Sequence, residues 1–104
     1  MMVDRRSARR NQIQFFMNQY IDGVPYLSEG LELSMSGALV RRVLSPNADR
    51  ACYALEIGLP EQADQRVFVC ATPVWRSGPF EALRFVAQSL SDRLRLANVI
   101  ARRI

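Results

Sequence analysis

Hydrophobic and polar residues alternate along most of this chain with the period of two that marks strands buried on one face. Ile13, Phe15 and Met17 are interleaved with Gln12, Gln14 and Asn18. Leu31, Leu33 and Met35 alternate again, and Ala38 to Leu44 reads as a further strand. Tyr53, Leu55, Ile57 and Leu59 give the cleanest alternation. Between Arg66 and Trp75, Val67, Val69 and Ala71 fall on one face and Phe68, Cys70 and Thr72 on the other. Pro73 argues for an edge position or a bulge near the end of that strand. Ala82 to Val86 predicts a last strand. Turn formers separate these runs: Asp22-Gly23-Val24-Pro25, Ser36-Gly37, Ser45-Pro46-Asn47-Ala48-Asp49, Pro60 to Asp64, and Ser77-Gly78-Pro79.

The period changes in the tail. Leu90, Leu94, Ala97, Ala101 and Ile104 recur at steps of four and three, which is helical spacing. Ser89 and Asp92 form a capping box at the start, and Arg102 and Arg103 suit the negative pole of the helix dipole. The stripe is expected to lie on the sheet as a lid. Leu96, Val99 and Ile100 widen the apolar face beyond one seam, which would also suit a protein partner or a dimer. Five to six short strands followed by one helix predict a small antiparallel barrel with a covering C-terminal helix. Residues 1–11 are polar and basic, with almost nothing to bury, and are expected to form a flexible arm; residues 12–104 form one domain.

Composition narrows the function. At 104 residues and 49% hydrophobic, the chain can bury one core without metal or disulfides. The net charge of +4 comes from 14 basic residues, all arginine, against 10 acidic ones. Arginine suits planar, bidentate recognition of phosphate or guanine, although a GC-rich gene would also favour it over lysine. Histidine, the commonest general base and metal ligand, is absent. Cys52 and Cys70 sit in apolar runs without metal-ligand spacing and are expected to be buried, unpaired thiols of a reducing compartment. No apolar run is long enough to span a membrane and the start lacks a signal-peptide core, so a soluble, cytoplasmic protein is expected. No nucleophile–base pair, metal set or phosphate-cradling glycine loop is visible, so neither an enzyme nor a bound cofactor is expected.

Two segments carry chemistry. Arg5-Arg6-Ser7-Ala8-Arg9-Arg10 places four guanidiniums within six residues, with Arg6 and Arg10 at RxxxR spacing. Alone, it fits a solvated basic arm or a nucleic-acid tail as well as a small-molecule clamp. Glu32-Leu33-Ser34-Met35-Ser36-Gly37 comes next. Alone, it reads as a turn. Chemically it offers a carboxylate that can accept from guanine N–H groups, a hydroxyl at Ser34, and at Gly37 a backbone that a ligand can approach.

Together, and in this order, the two segments resemble the RxxxR and [D/N]xSxxG signature of the PilZ domain, a bacterial receptor for cyclic di-GMP. The resemblance continues through Val74-Trp75-Arg76, Leu83-Arg84-Phe85 and Ser91-Asp92-Arg93-Leu94, and covers Asp4 to about Ile100. It implies a six-stranded antiparallel β-barrel with a C-terminal helix, acting as a non-enzymatic receptor that signals to a separate downstream protein. Arg6 and Arg10 would bind guanine and phosphate, and Ser34 and Gly37 would match the second motif. Glu32 stands where the family has Asp or Asn; its extra methylene moves the carboxylate and is expected to weaken rather than abolish binding, the full loss of that charged hydrogen bond being worth roughly ten- to a hundredfold. Arg5, directly before the motif, would accompany capture of an intercalated ligand dimer. Trp75 is either a wall of the guanine site or a packing aromatic of the barrel. A glycine frequent in the family is missing near Glu81-Ala82. Two alternatives stay open: a degenerate PilZ domain that binds only protein, which Glu32 favours, and a basic barrel that binds nucleic acid. Against the latter, the strand pattern shows no exposed aromatic pair to serve as a stacking platform.

Overall fold

The computed structural model describes residues 15–43, 51–59 and 62–102. Six strands, β1 (Phe16–Ile21), β2 (Val24–Leu33), β3 (Gly37–Arg42), β4 (Tyr53–Leu59), β5 (Gln62–Ser77) and β6 (Phe80–Ala87), precede one helix, α1 (Leu90–Arg102). All pairings are antiparallel, and the sheet closes on itself in the order β1-β2-β3-β6-β5-β4. Closure gives every strand a neighbour on both sides, although not along its whole length. The N-terminal arm, including Arg5, Arg6 and Arg10, lies outside the described residues, as does the predicted loop at 45–49. Among the described residues no helix is long and apolar enough to cross a membrane.

The alternation becomes the core. Phe15, Met17 and Ile21 from β1 and the residue before it meet Tyr53, Leu55 and Ile57 of β4 and Val67, Val69 and Ala71 of β5, all buried. Leu33, Ala38, Val40 and Leu83 complete the lining. The first hairpin turns on Asp22 and Gly23 alone, with φ of 53° and 82°. Two positive φ values in succession match the right-handed twist of the flanking strands, so the turn is tight and β2 begins at Val24.

The register shifts at four places, between Gly30 and Glu32, Ile57 and Leu59, Cys70 and Ala71, and Pro73 and Trp75, and the first and last of these bear on the outer face. In β2 the register steps from Gly30↔Val40 to Glu32↔Leu39, two residues against one. Ser28 points inward before the step and Leu33 after it, so Glu32 is turned outward. A Cβ at Gly30 would land on the Phe15 ring, which explains the glycine there. In β5 the register steps from Pro73↔Leu83 to Trp75↔Ala82. The inward series Val67, Val69, Ala71 then ends, Val74 and Trp75 both face solvent, and Arg76 turns inward. Pro73, which the pattern assigned to an edge or bulge, sits at the bulge.

Arg76 meets a carboxylate that water cannot reach. Glu81 is fully buried; its Oε2 accepts from Arg76 Nε at 2.7 Å, and Arg76 Nη2 donates to the Tyr53 hydroxyl at 2.7 Å. A buried carboxylate without such a partner would be strongly destabilising. A second polar cluster lies on the outer face, where Glu56 accepts from Arg66 (2.6 Å), Asn18 (3.1 Å) and the Tyr20 hydroxyl (3.0 Å). The Arg66 hydrogen bond leads in holding the Glu56 carboxyl below its ordinary pKa, against burial, which pushes it up.

The helix carries a correction. Leu90 and Leu94, read as part of the covering stripe, are 74% and 58% exposed, whereas Leu96 and Val99 enter the core and Ile100 packs against it. The cause is an anchor at the helix start. β6 ends opposite Cys70, so the Phe68 N–H has no strand partner on that side and donates to Asp92 Oδ1 at 3.1 Å. Asp92 shares a helix face with Leu96 and Val99 and aims that face at the barrel. The N-cap half of the capping box forms: Ser89 Oγ accepts from the Asp92 N–H at 3.1 Å and donates to its carboxylate at 2.7 Å.

The cysteines carry a second correction. They are not buried free thiols: Cys52 is exposed, Cys70 is half-buried on the outer face of β5, and the two form a disulfide. Pairing of Tyr53 with Ala71 makes them diagonal neighbours, with Cα atoms 6.5 Å apart, inside the range a disulfide spans.

Leu96→Ala should cost about 2–5 kcal/mol in urea unfolding. Leu94→Ala should stay within about 0.5 kcal/mol of wild type; the reverse order would place the wrong helix face on the barrel. Glu56 contributes stability that is fully present above its ordinary value of 4.5 and is lost as pH falls through its lowered folded value. The gap in melting midpoint between wild type and Glu56→Gln should therefore be widest near neutral pH and should close in acid.

Candidate functional site

The two bulges place their outward side chains on one row. Across the outer face, Glu32 (β2) is opposite Leu39 (β3), Leu39 opposite Ala82 (β6), and Ala82 opposite Trp75 (β5). Three strand spacings separate the carboxylate from the indole, about 14 Å between backbones. The next row runs Ser34, Gly37, Arg84 and Thr72. Apart from Thr72, these rows line an open groove of about 430 Å³ with a floor of small and aliphatic residues, Gly37, Leu39 and Ala82. Its size falls within the range of small-molecule sites. A second groove of about 410 Å³, beside the disulfide and lined by Tyr20, Ala54, Phe68 and Gln88 among others, contains no charged side chain.

The β2–β3 turn fixes one wall. Ser34 N–H donates to the Gly37 carbonyl at 2.9 Å, closing the turn. The Ser34 hydroxyl accepts from the N–H groups of Ser36 and Gly37, each at 3.2 Å, and lies 3.2 Å from the Ser36 hydroxyl. Ser34 thus shapes the backbone it sits on while its side chain remains exposed. Gly37 also has a structural duty: a Cβ there would run into the Leu83 carbonyl of β6. Its missing side chain lets β3 and β6 pair at the groove floor as well as leaving the floor open.

Trp75 is 48% exposed and lies on the groove wall rather than in the barrel interior. Phe80, 40% exposed, is its diagonal neighbour on the same face, since Ser77 pairs with Phe80 and Trp75 with Ala82. The alternation pattern did not show this exposed aromatic pair, because the β5 bulge is what turns Trp75 outward.

Of the candidate residues read from the sequence, Glu32, Ser34, Gly37 and Trp75 converge on one groove. Arg5, Arg6 and Arg10 fall outside the described residues. Leu39, Ala82 and Arg84 were not singled out as site residues. The signal that finds them is register: once β2, β3, β6 and β5 are adjacent, the outward positions of β3 and β6 must lie between Glu32 and Trp75. Among the described residues no group of three potential metal ligands occurs.

No family model and no curated protein sequence matches the chain. Solved structures do. The PilZ domain of CeSA from a cellulose-synthesizing bacterium aligns with a TM-score of 0.60 at 13% identity, over 86% of this chain and 90% of that one. An uncharacterized Legionella protein aligns with a TM-score of 0.56 at 17% identity, over 83% of each chain. At these identities the likeness is one of fold, and the fold is PilZ-like.

Gly37→Ala should destabilise the barrel by about 1–3 kcal/mol, because the clash is with backbone that cannot swing aside. Gly58→Ala, where a Cβ meets nothing within 4 Å, should melt no lower than wild type. Equal midpoints for the two variants would show that β3 and β6 are not held together at Gly37.

Proposed function

We propose that this protein is a non-enzymatic receptor for cyclic di-GMP that signals to a separate protein. The observation that carries the reading is the single row on which two independent bulges set Glu32 and Trp75, facing each other across a groove of apolar floor. A guanine needs an acceptor for its Watson–Crick N–H groups and a flat surface for its ring. Glu32 offers the first and Trp75 the second, with the Ser34 hydroxyl beside them. Arg6 and Arg10 would close over the groove and take phosphate oxygens and the O6/N7 edge of guanine, for which the guanidinium fork is suited. Arg5 would serve a second, intercalated ligand. Ordering of the arm on the barrel would change the surface that a partner protein meets. Because the acceptor at Glu32 selects for donors on the base edge, cyclic di-AMP should bind poorly.

One observation favours a second reading. Trp75 and Phe80 are adjacent, exposed aromatics, and a basic barrel with such a pair can stack the bases of a single strand. A ligand-free, protein-binding role is the third possibility, and Glu32 in place of Asp or Asn is its support.

Calorimetric titration of the full chain separates them. The receptor reading expects micromolar or tighter binding of cyclic di-GMP, lost in Arg10→Ala and strengthened in Glu32→Asp. A stoichiometry near two ligands per chain would support the role given to Arg5. Absence of heat with cyclic di-GMP sinks the reading. Heat with a single-stranded oligonucleotide instead, falling steeply with salt and indifferent to Glu32, would install the nucleic-acid reading in its place.

A further inference from the structure

We infer that Arg84 is a ligand-binding residue of the groove and takes the ligand's phosphate from the barrel wall. The inference rests on the receptor reading above and adds a contact that neither sequence motif contains. Arg84 lies on the outward face of β6, opposite Gly37 on one side and Thr72 on the other. It is the only cation among the described groove-lining residues, as Glu32 is the only anion.

Its state differs from that of most other arginines in the fold. Arg41 is paired with Glu29, Arg66 with Glu56, Arg76 with Glu81 and Arg95 with Asp92, and Arg42 donates to the Gly78 carbonyl. Arg84 is exposed and has no hydrogen bond or ion pair among the described residues. Its neighbour across the ladder is a glycine, so no side chain stands between the Arg84 position and the Ser34–Ser36 turn.

Spacing assigns the two charges to different parts of one ligand. Arg84 is two strands and one row away from Glu32, about 12 Å between backbones. In a cyclic dinucleotide the base edge and the phosphodiester are held apart by the base and its ribose, a comparable span. The carboxylate cannot take phosphate, and it suits the guanine edge. The guanidinium fork then meets phosphate oxygens at the other end of the groove. An exposed strand residue without partners contributes little to folding, so its removal leaves the barrel intact.

The test is titration of the full chain with cyclic di-GMP at low and high salt. Wild type is compared with Arg84→Ala, Arg84→Lys and Arg93→Ala, the last removing an equal charge from the exposed side of α1. Arg84→Ala should weaken binding by about ten- to a hundredfold, the effect of losing a charge-assisted hydrogen bond, and should flatten the salt dependence. Arg84→Lys should recover part of the loss, and Arg93→Ala should stay within about twofold of wild type, as a remote screened charge does. Melting midpoints of all variants should match wild type. If wild type binds and Arg84→Ala behaves like Arg93→Ala, the inference fails while the receptor reading stands. A wild-type chain that does not bind overturns both.

Discussion

Two inserted residues, one in β2 and one in β5, set the geometry on which everything at the groove depends. A strand that alternates without interruption gives each residue a face by parity alone. By parity from Ser28, Glu32 would point into the barrel, and by parity from Ala71 so would Trp75. Each bulge flips the phase of the residues beyond it, and the two flips deliver a carboxylate and an indole to the same outer row. The cost of the irregularity is small, because a barrel wall needs bulges to bend.

The β5 bulge couples the interior to the surface. The same phase change that turns Trp75 out turns Arg76 in, where it meets Glu81 and Tyr53. Regular pairing in β5 would leave Glu81 buried without its cation and would pack an indole into a space filled by Val69, Ala71 and Leu83. The polar contact inside therefore holds the aromatic wall outside in place. At the other end of the molecule, Asp92 does similar work for the helix: one carboxylate occupies a strand amide left over by the end of β6 and thereby decides which apolar stripe is buried.

The sequence made the strands legible where alternation was clean. β4 is found at its observed bounds, and Val67, Val69 and Ala71 of β5 are grouped correctly on one face because β-branched and small residues recur at every second position. Ser89 and Asp92 likewise mark the helix start. Two of the failures come from contacts between residues distant in the chain. The helix face depends on an amide on β5, twenty-four residues away. The Cys52–Cys70 disulfide depends on the β4–β5 register. The first half of β2 was hidden because Asp22-Gly23 makes the whole turn while Val24 and Pro25 look like part of it. At the groove, Glu32, Ser34 and Gly37 were readable as a motif and Trp75 as a candidate wall. Leu39, Ala82 and Arg84 became visible only once strand order placed β3 and β6 between them.

The double duty of Ser34 and Gly37 affects how chains of this fold should be compared. The serine caps a turn and the glycine admits a neighbouring carbonyl, and both services are needed by the empty barrel. A lineage that stopped binding its ligand would remain under selection to keep them. Retention of the serine–glycine half of the motif is therefore a record of architecture. On the proposed reading, a residue such as Arg84, which the fold does not employ, would be free to drift once the ligand is gone, and its identity would be the better witness to whether the groove is still in use.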